Sequence, residues 1–363
     1  MALVYYNAIV VTHERNHDLA GIKKFSSYFK IYNLGVMPLD RTGTLRFPIR
    51  TRSLFPMPPF KTLTKTYEEI CNERAKELLM RAETLDTTLY TFWSGGIDST
   101  CVLTSFLKNA TQSQKERIVV LMSEESISEN PNFYRDHIKG KLKRDSSTMF
   151  PYLIGTKNLI VNGEHNDQLF GSDIVSTVIG RFGTEVIHRT YDRAMFLTFL
   201  TEKIGNPDTA SFYVDLFEKL RAAAPVDIKS NYDMFWWINF AVKWQTVYIR
   251  LLSYIAKRNV AGISEEYLKT NYAPFYNTEN FQLWSMNNPD KKMREEWRSY
   301  KWPAKEIIYK YTKDADYRDH KTKRASLYHL MLQQIPSNFI DDSFFFYRDM
   351  EPALYHDPVN DFV

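Results

Sequence analysis

The sequence predicts an α/β fold: a doubly wound parallel sheet with a helical C-terminal region and a small β-rich N-terminal module. Short apolar runs recur at Leu89–Trp93, Ile118–Met122 and Leu159–Val161, and helix-like stretches separate them. Runs of this kind are typical of strands buried on both faces of a sheet. Beyond residue 185 the pattern is helical almost to the end. Alternating strands and helices favour parallel pairing, with a ligand site at the carboxyl ends of the strands.

The first 65 residues predict a separate module. Leu3–Val11 and Tyr28–Val36 are apolar runs bounded by turn residues, and the proline-rich stretch Phe55–Pro59 follows them. This is typical of a β-rich module closed by a linker. We therefore expect a second domain over residues 66–363, with a sheet core at about 85–185 and a helical region at about 186–363.

The elements of the core follow in order. Ile70, Ala75 and Leu78 recur at helical spacing on a charged background, which predicts an amphipathic helix over Tyr67–Arg81 that leads into the first strand. The pentad Ile118–Met122 predicts the next strand, and the helix between these two strands completes a βαβ unit. Leu159–Val161 predicts a third strand.

The helical region carries a stripe of large aromatic side chains, which we expect to pack in a core. The stripe consists of Phe235, Trp236, Trp237, Phe240, Trp244 and Tyr248. The longest uncharged run nearby, Met234–Val242, is far too short to cross a membrane.

Composition narrows the class of protein. The chain has 363 residues, of which 44% are hydrophobic and 25% charged, as in a soluble globular protein. A net charge of +4 suits an anionic ligand without requiring nucleic acid. Only Cys71 and Cys101 occur, which excludes a disulfide framework and a four-cysteine zinc site. With no secretory signal at the N-terminus, we expect a reducing, cytoplasmic location.

The segment Ser94–Thr100 is the most informative in the chain. It reads Ser-Gly-Gly-Ile-Asp-Ser-Thr, and it joins the end of the first predicted strand to a helix. Free backbone N–H groups and a helix dipole at that point favour an anion. Gly95 and Gly96 allow a tight turn and let phosphate oxygens approach the backbone closely. The hydroxyls of Ser94, Ser99 and Thr100 can donate hydrogen bonds to the phosphates. Asp98 is a candidate Mg²⁺ ligand.

This segment lacks the lysine and the spacing of a Walker-type loop, and it resembles the PP-loop of the ATP pyrophosphatases. Those enzymes bind the β/γ pyrophosphate of ATP and cleave between the α and β phosphates. The resemblance implies ATP and Mg²⁺ as cofactors, with Ser94–Thr100 on the pyrophosphate and adenine against the strand ends at Trp93 and Met122.

A second motif follows the third strand. Asn162–Gly171 reads Asn-Gly-Glu-His-Asn-Asp-Gln-Leu-Phe-Gly and is similar to the Ser-Gly-Glu-Gly-Ala/Ser-Asp-Glu-Leu-Phe-Gly of asparagine synthetases. The two motifs together cover the synthetase half of that family, roughly residues 66–330. The Asn162-Gly163 step offers backbone groups to adenosine, Glu164 can act as a general base toward the attacking amine, and Asp167 can share the Mg²⁺ with Asp98.

A weaker similarity lies downstream. Ala273–Asn277 is similar to the family's Pro-Phe-Leu-Asp, and Tyr300–Ile308 to its Lys-Tyr-Ile-Leu-Arg-Glu-Ala. This implies that Lys301 neutralises the charge that develops as pyrophosphate leaves. For Lys321, Lys323 and Arg324 we expect solvated surface positions rather than a role at the phosphate.

The chain also departs from that family. Position 2 is Ala2, where asparagine synthetases have a nucleophilic cysteine that releases ammonia from glutamine, so glutamine hydrolysis is not expected. The amine would come from free ammonia, a partner amidotransferase or the substrate itself. His165, Asn166 and Gln168 replace family residues beside the expected carboxylate substrate, which argues against aspartate as the acceptor.

The resulting hypothesis is an AMP-forming amide ligase that adenylates a small-molecule or peptide carboxylate and transfers the acyl group to an amine. Two alternatives remain. One is a PP-loop enzyme that adenylates a nucleic-acid base, disfavoured because no RNA-binding appendage is recognisable. The other is an ATP-binding module without turnover. We expect no membrane partner.

Overall fold

The computed structural model describes residues 4–5, 31, 39–45, 53–171, 174–249, 251, 263–294, 296–321, 339–340 and 343–344. The chain divides into two compact units. The sheet unit comprises Thr62–Asn166 and Tyr254–Ile335, and the helical unit comprises Met1–Lys61, Asp167–Ser253 and Pro336–Val363. The sheet unit thus begins at Thr62, and residues 167–253 group with the N-terminal segment.

The helical unit contains a small antiparallel sheet and a series of helices. Its strands, in the order β1-β7-β8, are β1 (Val4–Tyr5), β7 (Phe339–Ile340) and β8 (Ser343–Phe344). Its helices are α7 (Asn166–Phe170, of which Asn166 belongs to the sheet unit), α8 (Ile174–Phe182), α9 (Thr184–His188), α10 (Arg193–Ile204), α11 (Pro207–Ala222), α12 (Asn231–Val242) and α13 (Trp244–Ile249). The six aromatic side chains of the predicted stripe are buried, as expected for a core. Most of the predicted β-rich module lies outside the described residues.

A five-stranded, all-parallel sheet forms the centre of the sheet unit. Its strands are β2 (Leu89–Phe92), β3 (Ile118–Met122), β4 (Lys143–Ser146), β5 (Leu159–Asn162) and β6 (Tyr272–Pro274). The three predicted strands are confirmed as β2, β3 and β5. β2, β3 and β5 are almost wholly buried, as their continuous apolar sequences predict.

The helices of the sheet unit connect and cover these strands. They are α1 (Tyr67–Thr84), α2 (Ile97–Asn109), α3 (Gln112–Glu116), α4 (Glu124–Glu129), α5 (Pro131–Phe133), α6 (Phe150–Leu153), α14 (Glu265–Thr270), α15 (Glu279–Asn287), α16 (Trp302–Thr312) and α17 (Ala315–His320). The remaining helical turns are Tyr134–Ile138, Ser147–Met149, Pro289–Lys291 and Trp297–Ser299. The predicted helix over Tyr67–Arg81 is confirmed as α1.

Sequence explains where α1 begins and which face it buries. Thr66 and Glu69 form a reciprocal capping box, which satisfies two backbone donors at the N-terminus of the helix. Ile70, Ala75 and Leu78 lie on its buried face at helical spacing. The helix thus starts at a local signal and is held in place by its apolar stripe.

The strand order β4-β3-β2-β5-β6 places a reversal at the centre of the sheet. From β2 the chain moves outward through β3 to β4, and it then returns to β5 on the other side of β2. This order is compatible with a doubly wound fold. In open α/β sheets, ligands bind outside the carboxyl ends of the strands where the order reverses, which here means the ends of β2 and β5.

Among the described residues, no helix has the length and apolar character that crossing a bilayer requires.

Candidate active site at the ends of β2 and β5

The loop between β2 and α2 is held by its own hydrogen bonds. The Ser94 N–H donates to Ser99 Oγ (3.0 Å), and the Gly96 N–H donates to Ser94 Oγ (3.2 Å). The two serine hydroxyls lie 3.0 Å apart, and Ser99 Oγ also donates to the Gly96 carbonyl (3.2 Å). These hydrogen bonds hold Ser94, Gly96 and Ser99 in a compact turn.

Gly95 is required by packing as well as by backbone conformation. Its φ of +74° lies in the left-handed region, and a Cβ there would come within 2.4 Å of the Ser126 carbonyl oxygen and 2.8 Å of Glu129 Cβ. A side chain at position 95 would therefore push α4 away from the loop. The sequence argument assigned this glycine to phosphate approach, whereas its missing side chain faces α4.

The N-terminus of α2 carries no side-chain cap. Gly96 occupies the N-cap position with an extended backbone, and its carbonyl accepts the first helical hydrogen bond from Thr100 (2.9 Å). The N–H groups of the first helical turn have no acceptor within the helix, and the helix dipole adds partial positive charge. This end of α2 suits an anion.

The turn after β5 lies directly against α2. A Cβ on Gly163 would lie 3.1 Å from the Ser99 nitrogen and 3.3 Å from Asp98 Cβ. Asn162 holds the turn: its Oδ1 accepts from the Glu164 N–H (3.0 Å), and its Nδ2 donates to Tyr272 Oη (3.1 Å). The structure thus brings the two sequence motifs into contact through a residue without a side chain.

Asp98 lies at the centre of this contact. One carboxylate oxygen accepts from Lys301 Nζ (2.7 Å), and the other accepts from Asn166 Nδ2 (2.7 Å). Asn166 in turn accepts a hydrogen bond from Tyr67 Oη (2.6 Å). Burial is the main cause of the raised pKa of Tyr67, so its hydroxyl stays protonated and donating.

Lys301 reaches Asp98 from a strained position. It is the N-cap of α16, with a left-handed backbone at φ +60°, and only 7% of its surface is exposed. His165, in the turn after β5, is also left-handed (φ +77°) and buried. Non-glycine residues adopt this conformation at a cost of about 1–2 kcal/mol, and such residues cluster at functional sites. The ion pair with Asp98 thus places Lys301 beside the loop, and its predicted role toward departing pyrophosphate stays a prediction.

Three of the predicted nucleotide contacts have buried side chains. Trp93 donates from Nε1 to Thr100 Oγ1 (3.0 Å), and its ring stacks on Phe133 with centroids 5.8 Å apart. Met122 is 8% exposed and Thr100 is fully buried. The indole of Trp93 and the hydroxyl of Thr100 thus bond to each other inside the protein.

The two acidic residues of the second motif lie in different units. Glu164 is half-buried in the turn after β5, in the sheet unit. Asp167 begins the portion of α7 that belongs to the helical unit, where its carbonyl accepts from Asn239 Nδ2 (3.1 Å). The role of Asp167 as a second magnesium ligand stays a prediction.

Sequence reasoning missed a second ion pair at the loop. Glu129 and Lys321 are joined at 2.6 Å, with side chains only 3% and 11% exposed. A Cβ on Gly96 would lie 3.4 Å from Glu129 Oε1 and 4.0 Å from Lys321 Nζ. The expectation that Lys321 is a solvated surface charge is wrong, because the side chain is covered and paired with Glu129. Lys323 and Arg324 lie outside the described residues.

Tyr317, on α17, is hydrogen-bonded to the loop between β2 and α2. Its hydroxyl donates to the Gly95 carbonyl (2.6 Å) and lies 3.2 Å from Thr100 Oγ1. Burial raises the pKa of Tyr317, so it remains a neutral donor. Nothing in the sequence around Tyr317 marked it, because its role depends on where α17 packs.

Mg²⁺ would find a suitable oxygen ligand in Asp98. Each carboxylate oxygen has one described hydrogen-bond donor, which leaves lone pairs available. Within the described part of the chain, no group of three or more histidine, cysteine, aspartate or glutamate side chains is placed to hold a metal. Mg²⁺ is commonly held by one or two carboxylates together with phosphate oxygens.

Comparisons with protein-family models, with curated proteins and with solved structures returned no match.

Proposed function

We propose that this protein is an ATP-dependent, AMP-forming amide ligase of the PP-loop type, similar to the synthetase half of asparagine synthetases. The observation that carries the proposal is the contact between the two motifs. Gly163 packs against Asp98 and Ser99, and Lys301 pairs with Asp98, at the ends of the strands where the sheet order reverses.

The loop and the N-terminus of α2 would bind the pyrophosphate portion of ATP through backbone N–H groups. Asp98 would hold Mg²⁺, whose charge would offset that of the phosphates. Lys301, nearly buried beside Asp98, would donate to the departing pyrophosphate as its negative charge grows.

The reaction has two steps. A substrate carboxylate attacks the α-phosphorus of ATP, and the α–β bond breaks to release pyrophosphate. An amine then attacks the acyl carbon of the acyl-adenylate, AMP leaves, and Glu164 accepts the proton that the amine loses. The contribution of the protein is mostly positioning and charge neutralisation.

The test is product analysis. The full chain is incubated with ATP, Mg²⁺ and a panel of amino acids, nucleotides and peptides, each with and without ammonium. AMP and pyrophosphate in equal amounts would support the proposal, whereas ADP and phosphate would contradict it. Binding of ATP without turnover on any member of the panel would favour the module without turnover.

We place the protein in the cytoplasm, consistent with its two free, buried cysteines.

A further inference from the structure

A cavity of about 450 Å³ lies beside Lys301 in the sheet unit. It is lined by Arg294, Glu296, Arg298, Ser299, Trp302 and Asp319. Trp302 follows Lys301 directly in the chain, so the cavity adjoins the base of the lysine that pairs with Asp98. Its volume is within the range of sites that hold small organic ligands.

Arg294 and Arg298 line this cavity, and Arg318 lies next to it on the ring of Trp302; the three arginines are unequally neutralised. Arg318 packs over the Trp302 ring at 5.2 Å, and Asp319 neutralises it with both carboxylate oxygens (2.8 and 2.9 Å). Arg294 lies over the same ring at 5.2 Å. For Arg294 and Arg298, no ion pair with a carboxylate occurs among the residues that the structure describes. Stacking on an indole orients a guanidinium plane and leaves its N–H edges available for a planar anion.

Lys305 is a further cationic side chain in this region. Lys305 lies one turn after Lys301 on α16, and its Nζ donates to the Arg298 carbonyl (2.6 Å). Burial is the main cause of the lowered pKa of Lys305, which is about 8; Asp319 raises this pKa, and Lys321 and Lys301 lower it.

We propose that the cavity binds an anionic group of the acceptor substrate, a phosphate or a carboxylate that does not itself react, held by Arg294 and Arg298. This inference rests on the proposed function, since it assigns a substrate class to the same site. Each guanidinium fork would donate two hydrogen bonds to the anion. The reacting carboxylate of the same molecule would then lie toward Lys301.

The test measures anion binding without nucleotide. The full chain is titrated with inorganic phosphate and, separately, with acetate at constant ionic strength, and tryptophan fluorescence is followed. We expect saturable binding of at least one anion, a signal that is lost in Trp302→Phe, and affinity lowered about tenfold or more in Arg294→Gln and in Arg298→Gln. The anion that binds more tightly identifies the group on the substrate.

Arg181→Gln is the matched control. Arg181 also packs over an aromatic ring, that of Phe182, but it is paired with Glu202 in the helical unit. Its variant should bind the anion as the unchanged protein does. Unchanged affinity in Arg294→Gln and Arg298→Gln, or no saturable binding of either anion, would overturn the inference.

A second measurement separates this inference from the proposed function. Binding of a fluorescent ATP analogue should be retained in Arg294→Gln. If anion binding depends on the two arginines but the protein forms no AMP, the anion site is supported and the ligase function is contradicted. If the protein forms AMP but anion binding does not depend on the arginines, the ligase function is supported and the anion site is contradicted.

Discussion

The turns after β2 and β5 meet at the same place, but they are built differently. The loop after β2 closes on itself through hydrogen bonds among Ser94, Gly96 and Ser99. In the turn after β5, Asn162 and Asn166 bond to Tyr272, Tyr67 and Asp98, which come from three other segments of the chain.

The difference shows which parts of such a site can vary independently. A turn held by its own residues keeps its shape wherever strand and helix support it. A turn held by distant side chains depends on the packing of those elements, and its hydrogen bonds are coupled. The four experiments below test this contrast, from the largest expected effect to the smallest.

Asp98 links the two turns, so its substitution should have the largest effect. Asp98→Asn keeps the volume and an acceptor oxygen but removes the charge that faces Lys301 and that would face the proposed Mg²⁺. We expect AMP formation to fall about 10³-fold and magnesium-dependent ATP binding to weaken, since electrostatic contacts of this kind contribute on that scale.

Asp145→Asn is the control, because Asp145 is an exposed residue of β4. It should retain full activity. Retention of activity in Asp98→Asn, with circular dichroism unchanged in both variants, would contradict the role of Asp98.

Gly95→Ala tests the locally built turn. The left-handed backbone costs about 1–2 kcal/mol with a side chain, and overpacking against Ser126 adds about 1–3 kcal/mol. Gly140→Ala is the matched control, because Gly140 has a similar backbone conformation (φ +72°) but nothing within 4 Å of its Cβ position. Urea unfolding should show a clearly larger loss for Gly95→Ala. Equal losses would mean that packing against α4 contributes nothing.

Asn166→Ala tests the turn built by distant contacts. Removal of the amide leaves the buried Tyr67 hydroxyl without its described acceptor Asn166 Oδ1, which should lower the free energy of unfolding by about 1–3 kcal/mol. Tyr67→Phe in the same background should add little further loss. Additive losses in the double-mutant cycle would show that the two residues are not coupled.

The smallest effect concerns pH. The pKa of Lys305 is lowered from 10.5 to about 8 in the folded protein, so the unfolded chain binds more protons between these values. The contribution of this residue should therefore make stability rise as pH increases from about 8 to 10.5. Lys305→Met should flatten that part of the stability curve relative to the unchanged protein, measured by urea unfolding at each pH. Identical slopes would mean that folding does not lower the pKa of Lys305.

Local signals in the sequence were sufficient for the elements around the site. The capping box at Thr66 and the apolar pentad of β3 need only their neighbours, and both are observed. The loop after β2 is equally local. The partners of Asp98 are harder to identify from the sequence. Lys301 is indicated only by a resemblance, and Asn166 is predicted to lie beside the substrate carboxylate, whereas in the structure both donate to Asp98.

Glu129, Lys321 and Tyr317 could not be identified from sequence, because each is an ordinary residue type in an amphipathic segment. Their proximity to Gly95 and Gly96 results from how α4 and α17 pack. The sequence by itself determined β2, β3 and β5, the helices α1 and α2 and the turn that begins α2, since these follow from periodicity, glycine and hydrogen bonds within a few residues, whereas β4 and β6 were not predicted. The tertiary structure alone decided which charges face that turn, because ion pairs joining residues about two hundred positions apart leave no local pattern in the sequence.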